Sequence, residues 1–262
     1  MHSKSDLSAL LRKAKSLAID AGKILLEEKS NGLKVIRKEK KELVSHLDLV
    51  VQDFLIQGLN EEFKDISILS EEQKNKDTHT EAFWSIDPID GTHNFIAGLK
   101  SYGISLAYIE NDVILLGVIY LPETNDLYYA TLGGGAFCNQ TRIFCSDVSS
   151  LEKSIVAYDN QFYLKDNSIN LFNALIDSTF TMRISGCSVL DACLVSHGFL
   201  SARVYNSTKL CDVAAGLLIV KESGGYVSNF KGEEIDLSNP SDVIISGKYI
   251  HSELISLCMD LM

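Results

Sequence analysis

The chemistry-bearing residues of this chain are densest in Trp84-Ser-Ile-Asp-Pro-Ile-Asp-Gly-Thr-His-Asn-Phe95. Asp87 and Asp90 stand three apart around Pro88, which fixes φ, and Gly91 follows, which permits a tight turn or a close approach to a ligand. A turn of this kind aims both carboxylates into one pocket, and the backbone amides of Gly91 and Thr92 at a helix start suit a phosphate anion. On its own an Asp-x-x-Asp is more commonly a turn with a helix cap at Asp90 or Thr92. Three further features shift the balance. Glu71-Glu72 follow a short strand pattern at Ile66-Ser-Ile-Leu69, and Asp212 opens the apolar helix pattern Val213–Val220, where an N-cap is the ordinary use. Asp48 heads the second turn of a helix pattern after Ser45. Acids at element ends, with no clustered His or Cys, describe a hard-cation site whose oxygen ligands select Mg²⁺ or Mn²⁺ over zinc or copper.

The elements that must position these acids follow from periodicity. Leu7, Leu10, Leu11, Ala14, Leu17, Ala18, Ala21, Ile24 and Leu25 recur at helical spacing, which predicts a helix over 6–29, and a second helix is predicted over 47–63. The basic stretch between them (Lys34, Arg37, Lys38, Lys40, Lys41) reads as a solvated strand or loop. Asn75–Glu81 reads as a polar surface loop, and Phe83–Ile86 as a short strand running into Asp87. Between Tyr102 and Ala130, strand-like runs are punctuated at Glu110-Asn-Asp112 and Pro122-Glu-Thr-Asn125, the pattern of an antiparallel meander. Gly133-Gly-Gly135 reads as a turn or bulge. Strand patterns at 154–158, 180–184 and 202–205 then alternate with helix patterns at 169–177, 188–196 and 213–223. A strand at 243–246 and a helix from Ser252 close the chain. The expected division is residues 1–148, an α+β part with an antiparallel sheet and most of the acids, and 149–262, an α/β part that completes the site.

The chain has 262 residues, a formal net charge of -11, 46% hydrophobic and 23% charged residues. That composition is ordinary for a globular fold with a sizeable core. The acidity argues against nonspecific binding to nucleic acid or to an anionic membrane. Six cysteines (Cys138, Cys145, Cys187, Cys193, Cys211, Cys258) form no Cys-x-x-Cys pair, and most sit within apolar stretches, as reduced thiols of a cytoplasmic protein would. Residues 1–30 are too charged for a secretory leader, and no apolar run approaches ~20 residues.

Asp87-Pro-Ile-Asp-Gly-Thr92 with Glu71-Glu72 upstream, and Cys211-Asp-Val-Ala-Ala-Gly216 with Glu222-Ser-Gly-Gly225 downstream, resemble the two signature blocks of the inositol monophosphatase family. The likeness extends to Gly117-Val-Ile-Tyr120, Gly135-Ala-Phe-Cys-Asn139 and Gly186 ahead of Leu190-Asp191. The resemblance implies a layered αβαβα sandwich of the inositol monophosphatase and sugar phosphatase type, assembled as a homodimer. It also implies hydrolysis of a small phosphomonoester, by default inositol 1-phosphate, with two or three Mg²⁺ per site (Mn²⁺ as a substitute) and sensitivity to Li⁺. Carried over by position, Glu71, Asp87, Asp90 and Asp212 bind metal together with the Ile89 carbonyl. Asp48 and Thr92 join Glu71 in handling the attacking water, and Gly91 and Thr92 offer amides to the phosphate. Gly186, Cys187, Ser188, Tyr205 and Asp212 fall on the substrate side.

Three positions depart from the family pattern. Cys211 stands for an aromatic residue before the metal-binding Asp, which bears on packing. His93 stands for a small polar residue and suits a helix surface or pocket rim. Tyr205 stands where inositol-hydrolysing members carry a Glu that contacts substrate hydroxyls. Histidinol phosphate, a sugar phosphate and a 3′-phosphorylated nucleotide are therefore alternative substrates, and a catalytically idle regulatory member is the alternative from another class.

Overall fold

The computed structural model describes residues 4–29, 33–39, 42–72, 81–159 and 162–261. Helix α1 (Lys4–Glu28) and helix α2 (His46–Glu62) lie where the apolar spacing predicts them, joined through a hairpin of β1 (Val35–Glu39) and β2 (Glu42–Ser45). Strand β1 contains Arg37 and Lys38 of the basic stretch, with Lys34 just before it; Lys40 and Lys41, like residues 75–80 of the expected polar loop, lie outside the described residues. A seven-stranded sheet follows, in the order β3 (Ser67–Ser70), β4 (Ala82–Asp90), β5 (Gly103–Glu110), β6 (Val113–Leu121), β7 (Asp126–Thr131), β8 (Gly135–Cys138), β9 (Thr141–Arg142). Only β3 and β4 pair in parallel; the rest is the expected meander, extended by β8 and β9, which the sequence reading did not pick out.

This sheet is covered on both faces, so its central strands are buried throughout rather than alternately. In β5 the period of two survives only as a division of partners. Ile104, Leu106 and Tyr108 join Leu10, Leu17, Val51 and Leu55 of α1 and α2. Ala107 and Ile109 face the other way, toward Val189 of α5 (Ser188–Ser196) and Leu218 of α6 (Leu210–Glu222). Helix α6 is apolar all round because it is sandwiched: Val213, Leu217 and Val220 pack on a second sheet. Gly117 of β6 makes its approach possible, since a Cβ there would lie 2.7 Å from the carbonyl oxygen of Ala215.

The second sheet has five strands in the order β11 (Thr181–Arg183), β10 (Ile155–Ala157), β12 (Ala202–Asn206), β14 (Asp242–Ser246), β13 (Tyr226–Ser228). Strands β11, β10 and β12 run parallel, while β14 and β13 are antiparallel additions. Its outer face is closed by α4 (Ser168–Ser178) and α7 (His251–Met259) through Leu171, Leu175 and Leu254 against Val156, Val204 and Ile244. The layers run helix, sheet, helix, sheet, helix, which is the αβαβα sandwich expected. All six cysteines are free and five are buried. Among the described residues no helix is long and apolar enough to cross a membrane.

Candidate active site

Strand β4 does not stop at Ile86 but continues through Asp90. Against β5, Asp87 pairs with Ser105 and Asp90 with Gly103, so β4 carries one extra residue between the two aspartates. Pro88 has no N–H to give the ladder, and a bulge is where a sheet tolerates proline. The Ile89 amide donates instead to Asp87 Oδ1 at 3.0 Å. Gly91 follows in the left-handed region (φ 82°) and caps the short helix α3 (Thr92–Ile96), so neither Asp90 nor Thr92 is the cap. A Cβ at Gly91 would stand 2.8 Å from the Ser101 carbonyl oxygen, which leaves glycine as the residue that fits.

The parallel partner β3 delivers Glu71 to the same place: the ladder extends one step, with the Glu71 amide on the Ile86 carbonyl at 3.3 Å. Asp212 arrives from the other side. The N-cap of α6 is Lys209, which places Asp212 in the first helical turn rather than at the capping position. One carboxylate oxygen each from Glu71, Asp87 and Asp212 lie within 4.8 Å of one another. Asp90 is fixed separately: its Oδ2 accepts the Val189 amide at 2.9 Å and the Cys187 thiol at 2.8 Å, at the start of α5. Asp48 lies in the first turn of α2, one turn earlier than its sequence position suggests. Its Oδ2 accepts the Ser45 amide and hydroxyl at 2.8 and 2.6 Å, and its Oδ1 accepts the Thr92 hydroxyl at 3.0 Å.

Glu71, Asp87, Asp90, Thr92 and Asp212 line a polar cleft of about 330 Å³, and Asp48 lies behind Thr92. Asp87 is buried, and burial followed by repulsion from Glu71, Asp90 and Asp212 pushes its carboxyl well above the usual range. Asp212 is raised in the same way, by burial and then by Glu71 and Asp90. Asp90 is pushed up to about 6 by burial, against the opposing hydrogen bonds from Cys187 and Val189. Burial likewise lifts Asp48 to about 6, opposed by Ser45 and Thr92. Asp87 Oδ2 is closed to solvent and has no hydrogen-bond partner among the described residues. A buried, unsatisfied acceptor among repelling acids is costly unless a cation joins it. The all-oxygen donor set fits a hard divalent ion.

Gly186, Cys187, Ser188, Gly91 and His93 also line the cleft, His93 as an exposed rim residue. Tyr205 does not. It is 1% exposed, and its hydroxyl donates to the Ser188 carbonyl at 3.2 Å. The substrate-side contact expected there is therefore corrected: the ring lies beneath the wall, with the Arg203 guanidinium over it at 4.6 Å from the centroid. Cys211 takes a packing position, buried, with its sulfur accepting the Ser85 hydroxyl at 3.5 Å. Sequence reasoning missed Asp159, Arg203 and Lys209, all in the cleft wall. Arg203 had a signal, a lone charge inside the otherwise apolar strand Ala202–Tyr205. Lys209 sits 3.3 Å from Glu71 Oε1.

With this geometry in place, the comparison with known proteins is decisive. The family model described as "Inositol monophosphatase family" matches residues 6–261. The chain belongs to the inositol monophosphatase family. A fructose-1,6-bisphosphatase/inositol-1-monophosphatase of Thermotoga maritima is 34% identical over 252 residues, 95% of this chain and 92% of that protein. A Nus factor SuhB of Xylella fastidiosa is 33% identical over 224 residues, 83% and 80% of the two chains. Among solved structures, the Thermotoga maritima IMPase superimposes with a TM-score of 0.89 at 32% identity, over 97% of this chain and 98% of that one. As members of one family, these proteins share the layered fold around which the acidic cleft is built.

Proposed function

We propose that this chain is a Mg²⁺-dependent phosphomonoesterase acting on a small substrate, inositol 1-phosphate first among the choices. The observation that carries this reading is the convergence of Glu71, Asp87 and Asp212 within 4.8 Å, with a buried Asp87 oxygen lacking any partner. Glu71, Asp87, Asp90, Asp212 and the Ile89 carbonyl are the groups that would hold Mg²⁺. Bound there, Mg²⁺ supplies charge neutralisation to the phosphate and acidifies water.

The chain's own contribution is to place a proton. The Thr92 hydroxyl has one hydrogen and two acceptors in reach, Asp48 Oδ1 at 3.0 Å and the Ile89 carbonyl at 2.8 Å. Donation to Asp48 leaves the Thr92 oxygen lone pairs to accept a proton from water and orient it. Asp48, about 6, is ionised at neutral pH and able to receive that bond. Glu71 assists on the water, the Gly91 and Thr92 amides face the phosphate, and Gly186, Cys187 and Ser188 form the side that meets the leaving alcohol. A homodimeric, Li⁺-sensitive, cytoplasmic enzyme completes the reading.

Relatives named Nus factor SuhB favour a second reading, a regulatory protein. Phosphate release from inositol 1-phosphate, sugar phosphates, histidinol phosphate and a 3′-phosphonucleotide, with Mg²⁺ or with EDTA, separates the two. We expect Mg²⁺-dependent release, abolished in Asp90→Asn while that variant melts no lower than the unsubstituted protein in EDTA. Absence of release from every substrate supports the regulatory reading.

A further inference from the structure

The wall of the cleft contains a charged group that the proposed chemistry does not use. Arg203 is 2% exposed, a cation enclosed by protein. Its Nη2 contacts Asp159 Oδ1 at 2.5 Å and its Nη1 lies 3.1 Å from Asp191 Oδ2. The Tyr205 ring supports the guanidinium plane from below, and Tyr205 is itself anchored on Ser188. Asp191 is 1% exposed, whereas the Asp159 side chain is 14% exposed and lines the cleft. Asp159 Oδ2 also accepts the Asn206 amide at 2.7 Å. Both oxygens of Asp159 are thus held from behind, while a carboxylate can accept about four hydrogen bonds in all.

We propose that Asp159 is a specificity-determining residue, the acceptor in this wall for hydroxyl groups of a polyol leaving group, with Arg203 as its positioning residue. The inference rests on the phosphatase reading for the other half of the substrate. Two features select hydroxyls over a second anion. In Arg203, Nε and Nη1 are closed to solvent and Nη2 is engaged by Asp159, so the guanidinium is directed at its own carboxylates rather than at an incoming anion. Around Arg203 the carboxylates outnumber the guanidinium two to one, so a distal phosphate at this wall meets acceptors like itself, while a neutral O–H meets a carboxylate that can accept from it. Sites built to pair a substrate hydroxyl discriminate steeply against analogues lacking it, since the buried acceptor is then left unpaired.

The test compares inositol 1-phosphate with p-nitrophenyl phosphate, which has no hydroxyl on its leaving group, in the Mg²⁺-loaded protein and in Asp159→Asn. The expected result is that the ratio of kcat/KM for the polyol ester to that for the aryl ester falls about tenfold in the variant, a loss of about 1.4 kcal/mol. Most of the loss should appear in KM. An unchanged ratio overturns the assignment, because a merely structural role lowers both substrates together. A preference of the unsubstituted protein for fructose 1,6-bisphosphate over polyol monophosphates also overturns it. If the unsubstituted protein releases phosphate from nothing, the phosphatase reading fails by itself. Calorimetry then reads the acceptor separately, with a polyol phosphonate against methyl phosphonate. Tighter binding of the polyol, lost in Asp159→Asn, supports the inference, and equal binding refutes it. The same calorimetric pair serves if the variant folds poorly, since the unsubstituted protein must still prefer the polyol.

Discussion

Replacing Asp87 with Asn should separate the cost of the acid cluster from its use. Asp87 is 1% exposed, its Oδ1 is held by the Ile89 amide, and its Oδ2 is buried without a partner beside Glu71 and Asp212. Asn keeps the acceptor for Ile89 and puts an NH₂ where the orphaned oxygen stood, facing carboxylates that can accept from it. In EDTA the substitution removes an unsatisfied buried group worth ~1–3 kcal/mol. For a chain of this size 1 kcal/mol is roughly 2–4 °C in Tm, so the variant should melt several degrees above the unsubstituted protein. The sign of the pH dependence follows from linkage. The folded-state pKa of Asp87 is raised, so the folded chain holds this proton more tightly than the unfolded chain, whose value is about 3.9. Its contribution is therefore most favourable at low pH and is lost as pH rises from about 4 through the folded value. The advantage of Asp87→Asn in EDTA should widen between pH 5 and pH 8. Adding Mg²⁺ reverses the order. At a hundredfold excess over Kd a single bound ion stabilises by ~2.7 kcal/mol, roughly 5–10 °C, and that shift should shrink in the variant. Circular-dichroism melts at the two pH values, with EDTA or Mg²⁺, measure all of this. An equal Mg²⁺ shift in both proteins, or a variant that melts lower in EDTA, would refute the reasoning.

Thr92→Val removes the hydroxyl that bonds Asp48. If that hydroxyl orients a water, kcat in the phosphate-release assay should fall by ~10²–10⁴, the usual contribution of a positioned proton acceptor, while the Mg²⁺-induced Tm shift persists. Gly91→Ala forces a side chain into φ 82° with its Cβ 2.8 Å from the Ser101 carbonyl. A loss of ~2 kcal/mol or more in urea unfolding is expected, and a neutral result would mean that the bulge relaxes freely. His251 is buried between the Ser228 and Ser246 hydroxyls, and burial lowers its pKa to about 4. The unfolded chain takes up this proton near pH 6.5 and the folded chain only near 4, so stability falls with acidification across that window, by on the order of 3 kcal/mol at its end. In His251→Gln that part of the acid sensitivity should vanish, as read from urea midpoints at pH 7 and pH 4.5.

What the sequence made legible was local constraint. Pro88 and Gly91 announce a backbone that cannot continue a regular ladder, and the structure answers with a bulge and a left-handed cap. Helices α1 and α2 were readable because each has one buried stripe. The parallel pairing of β3 with β4, which brings Glu71 to Asp87, was not readable, because β3 is four residues long and β4 is buried along nearly its whole length, so neither carries a pattern that names its neighbour. Strands of two to four residues such as β8, β9 and β13 are too short to carry a period at all. Tyr205 illustrates a different limit. Its place in the chain was read from the spacing to Asp212, but spacing says nothing about which way a side chain turns, and here the ring turns under Arg203 instead of into the cleft.

The residues that gather at the cleft or directly behind it nevertheless share a mark that the sequence does display: Asp48, Asp87, Asp90, Arg203 and Asp212 are each ionisable groups embedded in apolar windows. The interior resists such groups unless something answers their charge. For Arg203 the answer is inside the chain, in Asp159 and Asp191. For the four acids the chain supplies hydrogen bonds to Asp48 and Asp90 but leaves Asp87 with an oxygen that nothing satisfies. The division between charges that the fold neutralises and charges that it leaves open therefore separates scaffold from site, and it points to a cation at the acids and to neutral hydroxyls at the Asp159 wall of the same cleft.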